Sequence, residues 1–564
     1  MALSSSMLNG ERGVVVLIVC RVLYSLPLSL LCPGLNLAIL SLFALFLDIR
    51  LDDSAALSRF KTRPGASSGI LLGAVTLPTV MISKLIQLTR AYSLQQIELQ
   101  ELEHMTMQYW ATSASCFGVL IFLCLVVLST PNTKRFPRSF SVWDATLSIF
   151  CVASYAVTCC VSLAAISHTG SNTVLKLMWE LYHGLVAVML IQRLLDKFPS
   201  CASIGTSHAP PSKHLFVIYL FSFPEWKQLT FPIGELLLVT VGLVLYFGDM
   251  LACTIAKVSG SLISTELVYI KYGIRRSEIS IIIQGVVLGL LLFPLLLKVL
   301  TFVFSEPLKR LSLCIYWVSL IFASVLRFYN ISKNSKIERI LLRKYYHLLA
   351  VLMFVPALIF QPKFLHLAFG AALAVFLVLE IMRVWRIWPL GQLIHQFMTA
   401  FTDHRDSDLL IVSHFSLLLG CALPIWMSSG FNDRPLAPFA GILSLGIGDT
   451  MASIVGYKYG VLRWSKTGKK TIEGTAAGIT SVLAACSILL PLLASTGYIF
   501  TEHWFSLILA VTVSSLLEAY TTQLDNAFIP LIFYSHLCLT STFLRVFTII
   551  SKDSSSDGKL IGVQ

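Results

Sequence analysis

The chain has 564 residues, 56% of them hydrophobic and only 13% charged, with a mean hydropathy of +0.80. Soluble domains carry about 25% charged residues, so an ordinary water-soluble globular protein is excluded and a polytopic membrane protein is expected. The formal net charge of +13 does not point to nucleic acid: Lys and Arg collect in short connections between apolar runs, as the positive-inside rule and anionic headgroups require, and no basic-aromatic groove is evident.

In chain order, apolar runs fall at 13–31, 68–88, 107–129, 279–304 and 364–381, with others between them. Each is close to the length that crosses a hydrocarbon core. Backbone groups in hydrocarbon must be satisfied within the chain, and the runs lack the period-two alternation of a membrane barrel, so the spans are helical. The expected fold is an all-α polytopic bundle of roughly 14 to 17 transmembrane helices. The first run lacks a small-residue cleavage site and reads as a retained anchor. The 13 cysteines, Cys20, Cys116, Cys124, Cys159 and Cys160 among them, lie mostly in apolar runs without metal-ligand spacing, and read as small hydrophobes.

A basic stretch at 331–344 divides the chain into an N-terminal array of spans, 1–330, whose role the sequence leaves open, and a C-terminal set, 331–550, followed by a polar, Ser-rich tail at 551–564 that reads as disordered. Nearly all patterned polar residues follow the division. With spans at about 345–361, 364–382, 409–429, 438–457, 475–497, 504–524 and 527–550, thirteen Lys and Arg fall in alternate connections against two, Lys363 and Arg434, in the others. That bias puts the 458–470 loop in the cytosol and brings Asp525 to the same side.

Asp449 lies in the apolar run GIGDTMASIVG, and a carboxylate there demands a metal, a cation or a water-filled cavity. Gly441, Gly446 and Gly448 precede it, either to let an anion approach the backbone closely or to pack helices. The following loop carries Lys458, Arg463, Lys466, Lys469 and Lys470, then Thr471, Glu473 and Gly474. Such density of cations suits phosphate, and a helix starting near Thr471 would add its N-terminal amides; a solvated positive-inside loop is the alternative. GKKT is not a Walker A ending, because its leading glycine would fall at Arg463 and no strand precedes it. Arg343, Lys344 and His347 at one span start, Glu380 and Arg383 at the next span end, and Asp403, Arg405, Asp406 and His414 around the following connection share the same face. Taken singly these groups read as interfacial ion pairs or a satisfied histidine; together they form the rim of one polar site.

Phosphoryl transfer asks for these residue types. Lysines and Arg463 would neutralise a triphosphate, Asp449 and Asp525 could hold a bridging divalent ion, and Glu473 or His347 could orient neighbours. A lipid alcohol would enter from the bilayer and the nucleotide from the cytosol.

RKYYHL from Arg343, LEIMRVWRIWPLG from Leu379, DHRDSD from Asp403, GIGDTMASIVG from Gly446, KKTIEGT from Lys469 and LLEAYTTQLDN from Leu516 closely resemble the dolichol kinase family, in the same order, over about 338–531. More distant relatives are the phytol and farnesol kinases and the CDP-diacylglycerol synthases, whose closing HGG-x-x-D-x-D type signature is missing here. The resemblance implies CTP-dependent phosphorylation of dolichol or another polyprenol at the endoplasmic reticulum membrane, with the site facing the cytosol and dolichyl phosphate supplied to protein glycosylation. It implies CTP as co-substrate, Mg2+ or Ca2+ as cofactor, and a CTP-binding stretch matching Lys458 to Glu473. Where the family often has a Pro-Gly pair before the lysines, this chain reads Ser465-Lys466-Thr467-Gly468. By this reading Asp449, Asp525 and His347 are catalytic, Asp449 and Asp525 also hold the metal, and Gly446 and Gly448 join the loop residues in binding CTP. No protein partner is evident. A lipid cytidylyltransferase would use CTP but release pyrophosphate; a transporter would show polar residues in two matching halves, whereas here they fall in one.

The only Asn-x-Ser/Thr sequon, Asn330-Ile331-Ser332, falls on the cytosolic side of this topology and is expected to stay unmodified. A glycosidase-sensitive mass shift abolished by Asn330→Gln would overturn the orientation.

Overall fold

Long apolar segments leave the backbone little to bond with but itself, and the computed structural model is built from helices over the residues it describes: 9–51, 68–129, 304–334, 339–385, 412–464, 470–495, 504–521 and 525–539, with positions 302, 391, 392 and 395. Lys466, Lys469, Asp403, Arg405 and Asp406 lie outside these residues, as do the side chains of Arg343 and His414, the tail, and most of the run 279–304.

The helices are α1 (Gly10–Tyr24), α2 (Leu31–Leu51), α3 (Ile70–Ser93), α4 (Leu99–Ser129), α5 (Pro307–Asn334), α6 (Arg339–Phe360), α7 (Pro362–Trp385) and α8 (Val412–Met427). After them come a π-helix at Ile442–Asp449, then α9 (Thr450–Tyr459), α10 (Ile472–Ser495), α11 (Trp504–Tyr520) and α12 (Asp525–Cys538). Among the described residues the one extended pairing is an isolated antiparallel bridge between Arg463 and Thr471. Four segments are long and apolar enough to cross a membrane, Leu28–Ile49, Ile70–Ser93, Pro362–Glu380 and Ile472–Ala494, while Lys344–Phe360, Phe415–Met427 and Trp504–Tyr520 are shorter apolar helices. The expected count of roughly 14 to 17 spans is therefore not reached among the described residues.

Two apolar runs read as single spans are divided, for local reasons. The run 13–31 ends its first helix at Tyr24, and Pro27, which cannot donate and disfavours helix in the residue before it, leads into a short 3-10 turn at Leu28–Leu30. The span expected at 438–457 is a 3-10 turn at Ala437–Phe439, the π-helix and α9 in succession. Conversely, the basic stretch 331–344 is helical on both sides of 335–338, so Lys344 lies within α6.

Two apolar cores hold the bundle. One joins α6, α7, α8, the π-helix, α10 and α12 through Leu365, Phe369, Trp426, Leu443 and Phe533. The other joins α1 to α4 through Val22, Leu40, Leu85 and Phe117, and includes Leu517 of α11 and Ile532 of α12. The N-terminal helices thus pack directly on the C-terminal ones. Polar contacts reinforce this: Ser83 and Ser535 hydroxyls lie 2.7 Å apart, Arg90 donates to the Cys538 carbonyl at 2.7 Å, and Lys84 donates to the Phe431 carbonyl at 2.6 Å. A buried pair, Arg12 Nε to Asp48 Oδ2 at 2.5 Å, ties α1 to α2.

Glycine sets the closest approaches. A Cβ on Gly441 would stand 2.1 Å from the Gly420 carbonyl oxygen, and one on Gly420 would stand 2.0 Å from the Asn526 oxygen, so α8, α12 and the start of the π-helix touch backbone to backbone.

Candidate active site

Asp449 closes the π-helix. π-turns are rare and cluster at functional sites; here the wider turn re-phases the side chains so that a buried carboxylate, 4% exposed, meets α6. Lys344 Nζ donates to Asp449 Oδ2, and His347 Nδ1, one turn along α6, lies 3.1 Å from the same oxygen at ion-pair range. Thr450 Oγ1 donates to the Lys344 carbonyl at 3.3 Å, and Ser453 Oγ approaches Asp449 Oδ1 at 3.5 Å. The charge that an apolar run seemed unable to hold is answered first by a cation, Lys344.

The glycines around it serve packing. A Cβ on Gly446 would stand 2.3 Å from Val351 Cγ2, so Gly446 lets the π-helix close on α6. Gly448 faces Val482 of α10, and Gly474 and Gly478 bring α10 against Ala452 of α9. Of the two readings the sequence left open for Gly446, close helix packing is what the geometry displays.

The basic loop between α9 and α10 is a tethered hairpin. The Ile472 amide donates to the Leu462 carbonyl at 2.8 Å and the Trp464 amide to the Lys470 carbonyl at 3.2 Å. Thr471 begins α10 as its cap, its Oγ1 accepting from the Gly474 amide at 3.2 Å. Glu473 accepts from the Leu462 amide with both oxygens, at 2.9 and 3.2 Å, so it fastens the hairpin rather than turning toward Asp449. Trp464 donates from its indole to Thr475 Oγ1 at 2.9 Å and packs on Tyr520, whose ring in turn fills the space beside Gly10 of α1. Lys458 and Arg463 are exposed on this hairpin and the α9 turn that leads to it.

Lys470 is the junction. Its ammonium donates to the Glu518 carbonyl at 2.6 Å and stands 3.4 Å from Glu518 Oε1 and 3.9 Å from Asp525 Oδ2. Burial opposes its charge, but the carboxylates of Glu518, Asp525 and Asp449 outweigh burial and hold its pKa above the ordinary lysine value. Asp525, 76 positions from Asp449 in sequence, therefore does reach the same neighbourhood, as the second acid around Lys470. Glu518 was not singled out from the sequence, although an ionisable residue in the apolar run of α11 is itself the signal for it. Glu380 and Arg383 form a separate buried pair on α7, with bonds of 2.7 and 2.9 Å.

Among the described residues no three or more His, Cys, Asp or Glu side chains converge into a metal cage. The acids are instead dispersed around Lys470.

Lys344→Met should strand the Asp449 carboxylate and cost about 3–5 kcal/mol of stability, whereas Lys344→Met combined with Asp449→Asn should recover most of that loss. Thermal unfolding of the detergent-solubilised variants measures it; losses that simply add would show the two groups to be uncoupled.

Comparisons with known proteins bear on the family. The family model described as Dolichol kinase matches residues 228–428, which includes Lys344 and His347 and stops before the π-helix. Dolichol kinase EVAN of Arabidopsis thaliana is 57% identical over 95% of this chain and 99% of its own length. The dolichol kinase of Mus musculus is 35% identical over 62% of this chain and 67% of its own, and that of Homo sapiens 36% identical over 52% and 56%. No solved structure matches. With identity of this degree running nearly end to end, the chain belongs to the dolichol kinase family.

Proposed function

We propose that this protein phosphorylates dolichol, or a close polyprenol, with CTP as donor, at the cytosolic face of the endoplasmic reticulum membrane, and so supplies dolichyl phosphate for protein N-glycosylation. Relatives named dolichol kinase support the lipid and the reaction type. One observation carries the site: a basic hairpin, through Lys470, meets Glu518 and Asp525 at one end of apolar helices, within the electrostatic reach of Asp449. Triphosphate from the water phase and alcohol from the bilayer can meet only at such a boundary.

In this reading Lys470, Arg463 and Lys458, with Lys466 and Lys469 of the same loop, neutralise the donor's phosphates. Thr471, Glu473 and Gly474 hold the hairpin on α10, and Gly446 and Gly448 set the position of Asp449 against α6 and α10. Lys344 and His347 keep that carboxylate ionised and aimed. Asp449 and Asp525 would hold a divalent cation, Mg2+ or Ca2+, which when bound offsets charge on the transferring phosphoryl group.

Purified protein supplied separately with CTP and ATP, together with dolichol, is expected to transfer phosphate from CTP and to release CDP; pyrophosphate as product would indicate a cytidylyltransferase instead. In the same assay Lys470→Ala should raise the KM for CTP and lower kcat/KM by about 10- to 150-fold, leaving lipid dependence largely unchanged. Wild-type kinetics in that variant would reduce the hairpin to a topology signal.

A further inference from the structure

The hairpin and Asp449 account for the nucleotide, and they leave the alcohol without a seat. Beside them a narrow crevice runs between the π-helix, α10, α11 and α12. Val482, Val511, Ile529 and Phe533 give it apolar walls, and Gly448 and Glu518 border it where it nears the site. Two of the three serine hydroxyls along it are turned back on their own helices: Ser444 donates to the Ala440 carbonyl at 2.7 Å, and Ser514 donates to the Ala510 carbonyl. Glu518 differs. Lys470 is anchored on the Glu518 backbone carbonyl at 2.6 Å, and the carboxylate, with Oε1 3.4 Å from the ammonium, adds a longer second contact that uses only part of its acceptor capacity. A carboxylate has about four acceptor positions, and one that is 10% exposed is costly to bury without use for them.

We propose that Glu518 receives the hydroxyl of the isoprenoid alcohol, and that the crevice, with room for about one water-sized group, takes that hydroxyl alone. This rests on the lipid kinase reading above. The crevice is too narrow for a tail, and the tail has another place: Ile488 and Leu492 on α10 and Phe505, Ile508 and Leu509 on α11 are exposed, so the two helices bounding the crevice present apolar faces to the bilayer. In the reaction the alcohol O–H donates to the Glu518 carboxylate. Its oxygen bonds to the terminal phosphorus of the donor as the bond from that phosphorus to the bridging oxygen breaks; the nucleoside diphosphate leaves with that electron pair and Glu518 takes the proton. A base must stand within hydrogen-bond reach of the proton it takes, and beside phosphate-binding cations. Glu518 meets the second condition through Lys470, whose ammonium lies 3.4 Å from Oε1; its place on the crevice wall is what would meet the first.

Glu518→Gln tests this, because it keeps the backbone carbonyl that anchors Lys470 and nearly keeps the shape. Its kcat with CTP and dolichol should fall about 100- to 10,000-fold while the KM for CTP changes by less than about threefold. Full turnover in Glu518→Gln alongside active wild type would overturn the assignment and leave the kinase reading standing; inactive wild type would instead sink the kinase reading. A parallel loss of CTP affinity would also overturn it, by making Glu518 a hairpin anchor. Val511→Phe, which narrows the crevice without touching a charge, should raise the KM for the alcohol about tenfold or more and spare that for CTP; an unchanged alcohol KM would remove the crevice from the path.

Discussion

A carboxylate taken out of water must find a positive charge, and much of the C-terminal bundle is arranged so that Asp449 can. Lys344 and His347 reach it from successive turns of α6. For that to happen the segment carrying Asp449 has to lie close to α6, and Gly446 permits the approach by giving Val351 room. The π-turn supplies the rotation, and Gly441 and Gly420 press its start onto α8 and α12. Removing one partner from a buried pair costs more than the pair contributes, because the remaining charge is stranded. The arrangement therefore specifies which helices meet more than it adds to stability.

The hairpin hangs from the same framework by hydrogen bonds and ring packing in addition to the Lys470 contacts. Thr471 caps α10, Glu473 accepts from Leu462, and Trp464 joins Thr475 to Tyr520. Tyr520 lies against Gly10, where no side chain would fit, so the first helix of the chain backs the wall on which the basic loop rests. α1 is itself fixed by the buried Arg12–Asp48 pair. The first two described helices of the N-terminal array, whose role the sequence left open, thus contribute to holding the site's supports in place. Lys84, Arg90 and Ser83 of α3 fasten the opposite end of the bundle to α12 and the loop before the π-helix.

Helical class, the basic loop, the start of α10 at Thr471 and the need of Asp449 for a compensating charge were legible in the amino acids, because each follows from composition, charge or local capping. Less legible were features that depend on three-dimensional register. Pro27 divides a continuous apolar run, and the π-turn divides another, though neither changes hydropathy. Lys344 was visible as a rim residue but not as the partner of Asp449, since 105 positions separate them and no periodicity links α6 to the π-helix. Glu473 was expected beside the reacting groups and instead closes the hairpin, a role fixed by the Leu462 amide that its carboxylate reaches. Glu518 lies within the LLEAYTTQLDN stretch but was not singled out from it, although one buried acid in a membrane helix is signal enough.

In the function proposed above, Asp449, although paired with Lys344 in the protein alone, would be the acid through which metal and nucleotide are held together. Equilibrium CTP binding by the purified protein, followed as Mg2+ is raised, tests it without turnover. Wild type should bind more tightly with Mg2+, and Asp449→Asn, inserted and folded, should lose most of that Mg2+ dependence. CTP binding that keeps its full Mg2+ dependence in Asp449→Asn would contradict the account.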